Sequence, residues 1–229
     1  MNMLALISRF QRSSCLHIAL AVSAGLCAIV FAGCASTGHE LNGAIKENNV
    51  PEVTSLVRSN PSLINRTDKG GDTLLHWAAA QGYEPLAELL INDKADVSAR
   101  NMEGDTPLHL AAGNGHGDLV KLLLAHGAQV DALNDVEATP LDEAAEYDKP
   151  RMVELLLSNG ANIAAKDKNG DTPLHFAAMS GSKDAAQALL DHGAAVNAEN
   201  SDDLTPLHQA ILNGRDKVAI LLSQNGGHE

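Results

Sequence analysis

A block of four residues that returns every 33 positions constrains this chain more than any other feature. Thr73-Leu74-Leu75-His76, Thr106-Pro107-Leu108-His109, Thr139-Pro140-Leu141-Asp142, Thr172-Pro173-Leu174-His175 and Thr205-Pro206-Leu207-His208 each begin 33 residues after the last. A fixed period of this length means that one supersecondary unit is repeated. Such a unit buries its apolar face only against its neighbours, so the fold is a stack.

The residues inside each period say what the unit is. Thr favours a helix N-cap and Pro suits the first helical position, where its missing N–H costs nothing, so each block opens a helix. Ala111-Ala112, Ala144-Ala145 and Ala177-Ala178 let neighbouring helices approach closely. Glycines at 82, 115, 181 and 214 permit a sharp turn into a second helix, where Leu119, Leu122 and Leu123, like Val153, Leu155 and Leu156, form an apolar face. Gly127, Gly160 and Gly193 then end that helix in a left-handed conformation. An apolar content of 45% with only 3% aromatics suits helices packed through small side chains better than a sandwich or barrel.

The period and the Thr-Pro-Leu-His signature resemble those of the ankyrin repeat. The resemblance covers nearly everything after Cys34. It implies an all-α ankyrin repeat solenoid of helix-turn-helix units with β-hairpin finger loops. Six repeats are expected, two of them caps: an N-cap repeat at 40–67, full repeats at 68–100, 101–133, 134–166 and 167–199, and a C-cap repeat at 200–229. The first lacks the signature. The last is expected to carry polar cover from Gln209, Arg215 and Lys217.

Residues 1–33 differ in kind: they contain no Asp or Glu, carry Arg9 and Arg12, and run apolar from Leu16 to Gly33. That is a targeting segment. Phe31-Ala32-Gly33-Cys34 resembles the lipobox of bacterial prolipoproteins, which implies removal of 1–33 and acylation of Cys34. An ordinary secretory signal and an uncleaved anchor are the alternatives, and either also exports the domain. With Ala35 rather than Asp after the cysteine, the resemblance implies a lipid-anchored protein of the bacterial cell envelope, at the outer membrane and facing the periplasm. Residues 34–39 are then a short lipidated tether. Cleavage removes Cys15 and Cys27 and acylation consumes Cys34, so no disulfide is expected in the mature chain. Losing Arg9 and Arg12 from 16 basic residues leaves 14 against 29 acidic ones, a net charge of −15. Such a surface repels nucleic acid and favours basic partners.

No catalytic or cofactor site is expected. His76, His109, His175 and His208 recur in register, about 8–10 Å apart in packed helices, whereas zinc holds its ligands at about 2 Å. The resemblance gives them a structural role, satisfying backbone groups within and between units. There is no nucleophile with a placed base and no Gly-rich phosphate loop, and Glu143 with Glu146 reads as an exposed acidic face. The resemblance implies instead a concave binding surface of finger tips and outward first-helix positions. Its candidate partner-binding residues are Met102, Asp105, Leu133, Asp135, Val136, Glu146, Tyr147, Asp171, Met179, Leu204 and Leu212. Met102, Leu133, Val136, Tyr147, Met179, Leu204 and Leu212 are apolar where solvent alone favours polar residues.

The fourth unit departs most, with Glu137 and Asp148 at glycine positions and Asp142 in place of the signature histidine. It is either where the partner is chosen or a decayed repeat held by its neighbours. The expected function is a membrane-tethered, periplasmic protein-binding module, monomeric when free, that captures one partner with a basic or mixed basic and apolar surface. An inhibitor or immunity protein against a toxin or hydrolase would have this form; an envelope scaffold joining several proteins is the alternative, and an enzyme the weakest reading.

Overall fold

The structure, a computed structural model, describes residues 43–45 and 47–228. The targeting segment, Cys34 and the tether lie outside the described residues. Residues 43–45 form a helical turn, followed by α1 (Val50–Ser59) and a 3-10 turn at Pro61–Leu63. The units after this contribute helix pairs: α2 (Leu74–Gln81) with α3 (Glu84–Asn92), α4 (Pro107–Asn114) with α5 (Gly117–Ala125), α6 (Pro140–Glu146) with α7 (Pro150–Ser158), α8 (Pro173–Ser180) with α9 (Lys183–Asp191), and α10 (Pro206–Leu212) with α11 (Asp216–Gln224).

Even-numbered helices from α2 to α10 pack on one another in one row, and odd-numbered helices from α3 to α11 in a second. The first row is close because Ala78, Ala79, Ala111, Ala112, Ala144, Ala145, Ala177 and Ala178 are wholly buried between helices. Leucines recurring at the period fill the core: Leu90, Leu123, Leu156, Leu189 and Leu222 are each fully buried, as are Leu75, Leu108 and Leu141. Burying such a side chain stabilises by about 1.5–3 kcal/mol, so the core is assembled in equal increments along the stack.

The fingers contain no strand among the described residues. The expected β-hairpin is replaced by a turn organised by one Asx side chain. The Asn101 N–H donates to the Asp105 carbonyl at 3.0 Å, while Asn101 Oδ1 accepts from the N–H groups of Glu103 (3.0 Å) and Asp105 (2.9 Å). Asp68, Asn134, Asp167 and Asn200 do the same in their own fingers. A side chain that takes two backbone donors leaves too few for a ladder.

Several positions expected to need glycine lack it. Lys94 has φ 74°, Glu137 φ 62° and Asp148 φ 53°, and Asp203 joins them at φ 57°. Left-handed backbone at a lysine with an exposed side chain costs about 1 kcal/mol relative to Gly. Lys94→Gly is therefore expected to raise the urea midpoint by an amount equivalent to about 1 kcal/mol, and Gly127→Ala, at φ 91° in the next unit, to lower it similarly. Equal midpoints for both variants and the parent would contradict this assignment.

Candidate functional site

Three histidines tie the units together through both ring nitrogens. In α2 the Thr73 N–H donates to His76 Nδ1 at 3.2 Å, and the His76 N–H donates back to Thr73 Oγ1 at 3.4 Å. Because a backbone N–H can only donate, Nδ1 is the acceptor and Nε2 carries the proton. His76 Nε2–H then donates to the carbonyl of Asp105, 29 residues on, at 2.9 Å. His109 repeats the arrangement with Ala138 (3.1 Å), and His175 with Leu204 (3.0 Å). Burial lowers the pKa of all three, that of His109 to about 4. Spaced one per unit, each ring is committed to backbone groups.

A second ladder runs through the fingers. Asn101 Nδ2 donates to Asp72 Oδ1 at 2.9 Å, Asn134 Nδ2 to Asp105 Oδ1 at 2.8 Å, and Asn200 Nδ2 to Asp171 Oδ1 at 2.7 Å. This ladder corrects two expectations. Asp105 and Asp171, expected on the binding surface, are 7% and 2% exposed and hold the stack together. The asparagines that hold them were not singled out from the sequence, although Asn101 and Asn134 recur at the same 33-residue interval as the signature.

The remaining candidates are carried by the fingers and the first helices. Finger tips are linked in a continuous row by backbone bonds: Met102 N–H to Gly70, Asp135 N–H to Glu103, Lys168 N–H to Val136 and Ser201 N–H to Asn169, at 2.8–3.1 Å. Along that row and the adjoining first helices, Met102 is 73% exposed, Leu133 45%, Tyr147 47% and Leu212 59%. Val136, Glu146, Met179 and Leu204 are half-buried. The Tyr147 ring overlies α4, where a Cβ added at Gly113 would stand 3.2 Å from Tyr147 Cδ2. Glycine at 113 makes room for the ring.

Charge on this face is partly committed within it. Asp135 accepts from Arg100 Nη2 at 2.7 Å, and Arg100 Nη1 donates to the Leu133 carbonyl at 2.6 Å. Lys168 Nζ donates to the Asp135 carbonyl and Lys166 Nζ to the Glu199 carbonyl. Beside Gln209, Arg215 and Lys217 the C-terminal unit also exposes apolar groups: Ile211 is 48% and Ile220 58% exposed. Ile211 occupies the register of Ala79, Ala112, Ala145 and Ala178, each of which a following unit covers.

Among the described residues, no group of three or more His, Cys, Asp or Glu side chains is placed to hold a metal ion. A depression of about 250 Å³ lined by Val57, Arg58, Pro61, Ile64 and Asp93 lies at the N-terminal units and includes none of the finger-tip residues. Its residues contain no nucleophile beside a base. No described helix is long and apolar enough to cross a membrane.

Ankyrin repeats, in three copies, match residues 41–135, 94–167 and 141–229. The chain belongs to the ankyrin repeat family, whose units are protein-interaction modules. Curated relatives include an E3 ubiquitin-protein ligase of Arabidopsis thaliana, 36% identical over 70 residues (30% of this chain, 14% of that protein). A probable E3 ubiquitin-protein ligase of Oryza sativa subsp. japonica is 33% identical over 70 residues, with the same coverage. An acyl-CoA-binding domain-containing protein of Rattus norvegicus is 39% identical over 46 residues, which is 20% of this chain and 16% of that protein. This chain thus spans about one-seventh of the length of the ligases it matches.

The histidine ladder sets a pH dependence. An imidazole held below its ordinary pKa of 6.5 in the fold contributes stability that is complete above 6.5 and declines as pH falls toward about 4, where His109 itself titrates. Urea midpoints are expected to fall from pH 7 to pH 4.5. His109→Ala, which removes a helix cap and leaves the buried Ala138 carbonyl without its donor, is expected to cost about 2–3 kcal/mol at pH 7 and to flatten that decline.

Proposed function

We propose that this chain is a lipid-anchored protein-binding module of the bacterial envelope, which captures one partner protein through the finger-tip and first-helix surface. The row of exposed apolar side chains at Met102, Leu133, Tyr147 and Leu212 carries this reading. These side chains lie on the one face where the stack leaves finger tips and first helices uncovered, and apolar positions ringed by Glu103, Asp135 and Asp202 have the composition of an interface centre with a charged rim. A net charge of −13 for the whole chain, or −15 without Arg9 and Arg12, favours a partner with a basic or mixed basic and apolar surface.

An inhibitor or immunity protein is the form this reading takes most simply, since a tethered rigid surface that masks a hydrolase or toxin needs no chemistry of its own. A scaffold joining several envelope proteins is the second reading; the exposed Ile211 and Ile220 favour it, because they give the C-terminal unit an apolar surface apart from the finger tips. The lipid anchor is supported by Phe31-Ala32-Gly33-Cys34 and by the absence of acidic residues in the first 33.

Capture from envelope extract, with Met102→Asp and Tyr147→Asp combined in the control, separates the two forms. A dedicated inhibitor gives one stoichiometric partner, resistant to moderate salt and lost in the control. Several partners retained by both proteins indicate a scaffold or another face. Cys34→Ser is expected to shift the chain from the membrane fraction to the soluble fraction. Retention in the membrane would instead identify the apolar segment itself as the anchor.

A further inference from the structure

Both ladders that hold the stack together fail at the same junction. Between the second and third units run His76 to Asp105 and Asn101 to Asp72; between the third and fourth, His109 to Ala138 and Asn134 to Asp105; between the fifth and sixth, His175 to Leu204 and Asn200 to Asp171. Between the fourth and fifth units the histidine is Asp142, and the Asn–Asp pair is replaced by Asp167 and Ala138. The helices of these units pack as at the other junctions, and the polar links between them lie instead at the margins. Ser182 Oγ–H donates to the Glu146 carbonyl at 2.7 Å, the Ala185 N–H donates to Asp148 Oδ1 at 2.9 Å, and Lys168 reaches the fourth finger through its N–H and its Nζ.

Asp142 reproduces half of what the histidine does. Its Oδ2 accepts from the Thr139 N–H and from Thr139 Oγ1–H, each at 2.7 Å, as Nδ1 does elsewhere. Its Oδ1 is buried without a hydrogen-bond partner, on a residue 1% exposed. An aspartate is too short to reach across as an imidazole does, and an ionised one has no proton to donate. A buried carboxylate oxygen without a donor is costly when charged and far less so when neutral.

Its surroundings add to that cost. The next finger presents Asp167 and Asp171, 5% and 2% exposed, whose charges oppose ionisation. In the same row stand His109 on α4 and His175 on α8, both held neutral by burial. The cations of that finger, Lys166 and Lys168, are turned to the carbonyls of Glu199 and Asp135. Arg151 and Glu154 on α7 and Lys183 and Asp184 on α9 are exposed; Lys149 before α7, with Glu143 and Glu146 on α6, is half-buried.

We propose that the junction between the fourth and fifth units is a proton-controlled joint, closed while Asp142 is neutral and loosened when it ionises against Asp167 and Asp171. Burial pushes the Asp142 carboxyl up to about 7, so the change falls near neutral pH. A carboxyl raised in the fold contributes stability that is complete at low pH and is lost as pH rises toward about 7, the reverse of the histidine ladder. The joint lies between Tyr147 on one unit and Met179 on the next, so loosening it changes the spacing of two finger-side surface residues. It stands independently of what that surface binds.

Hydrogen exchange read by mass spectrometry on the full chain, from pH 5 to pH 8 and corrected for the intrinsic rate, tests this directly. Amides of the fifth finger and α8 are expected to show an opening constant that climbs by up to about tenfold per pH unit and levels above about 7. Amides of α4, at a junction with its histidine, are expected to be flat or to move the other way. Asp142→Asn should remove the climb, and Asp142→His should remove it while slowing exchange at pH 8, since an imidazole in this row restores the donor to the next unit. If Asp142→Asn fails to fold, the parent's pH series and Asp142→His decide alone. A climb that persists in either variant, or exchange at α8 that follows α4 in the parent, would overturn the proposal.

Discussion

A neutral imidazole that accepts a hydrogen bond on one nitrogen and donates one from the other is the interaction on which this stack depends. The apolar core is made of equal layers and would tolerate sliding of one layer on the next, because alanine and leucine surfaces are similar along the whole row. The histidines remove that freedom. Each fixes its own helix start through Thr and at the same time selects one carbonyl of the following unit, 29 residues on. The Asn–Asp contacts in the fingers repeat the selection beside the histidines, and Asp105 takes part in both. Register is therefore set by directional polar bonds, and cohesion by burial.

This division leaves the outer ends of the fingers available for function. Because one Asx side chain and the adjacent backbone satisfy each finger's turn, the residues at its tip are not needed to hold its shape. Position 102 can be methionine, position 135 aspartate and position 168 lysine within the same loop geometry. Surface chemistry is varied without disturbing the stack, which is why an apolar row can stand on a chain that is otherwise strongly acidic. The atoms that hold each loop and the side chains at its tip are different.

Most of the architecture was legible because the signals are local and repeated. Thr before Pro, paired alanines and glycine after the second helix each have one physical reading, and the left-handed backbone at Glu137 and Asp148 was visible as missing glycine. Less legible was anything that depends on what lies across a junction. Asp105 and Asp171 sit at finger positions that are exposed in an isolated unit, and only the asparagine arriving from the next unit buries them. The β-hairpin expected of the fingers gave way to an Asx-centred turn for a related reason: the side chain at 101 or 134 captures the donors that a strand pair would use. Asp142 was visible as a departure from the signature, but its unsatisfied oxygen and the coincident loss of the Asn–Asp contact required the neighbouring unit to be in place. Ile211 and Ile220 escaped notice because polar neighbours in the last unit suggested a covered surface.

The central functional claim is that recognition belongs to the finger-tip face and not to the outer side of the second helices. A photo-crosslinking residue placed singly at Met102, Tyr147, Lys121 or Glu154, in the full chain in its native cells, compares the two faces under identical conditions. Positions 102 and 147 are expected to give a crosslink to the same partner protein, and positions 121 and 154 none. Crosslinks of equal yield from all four positions, or from 121 and 154 alone, would contradict the account.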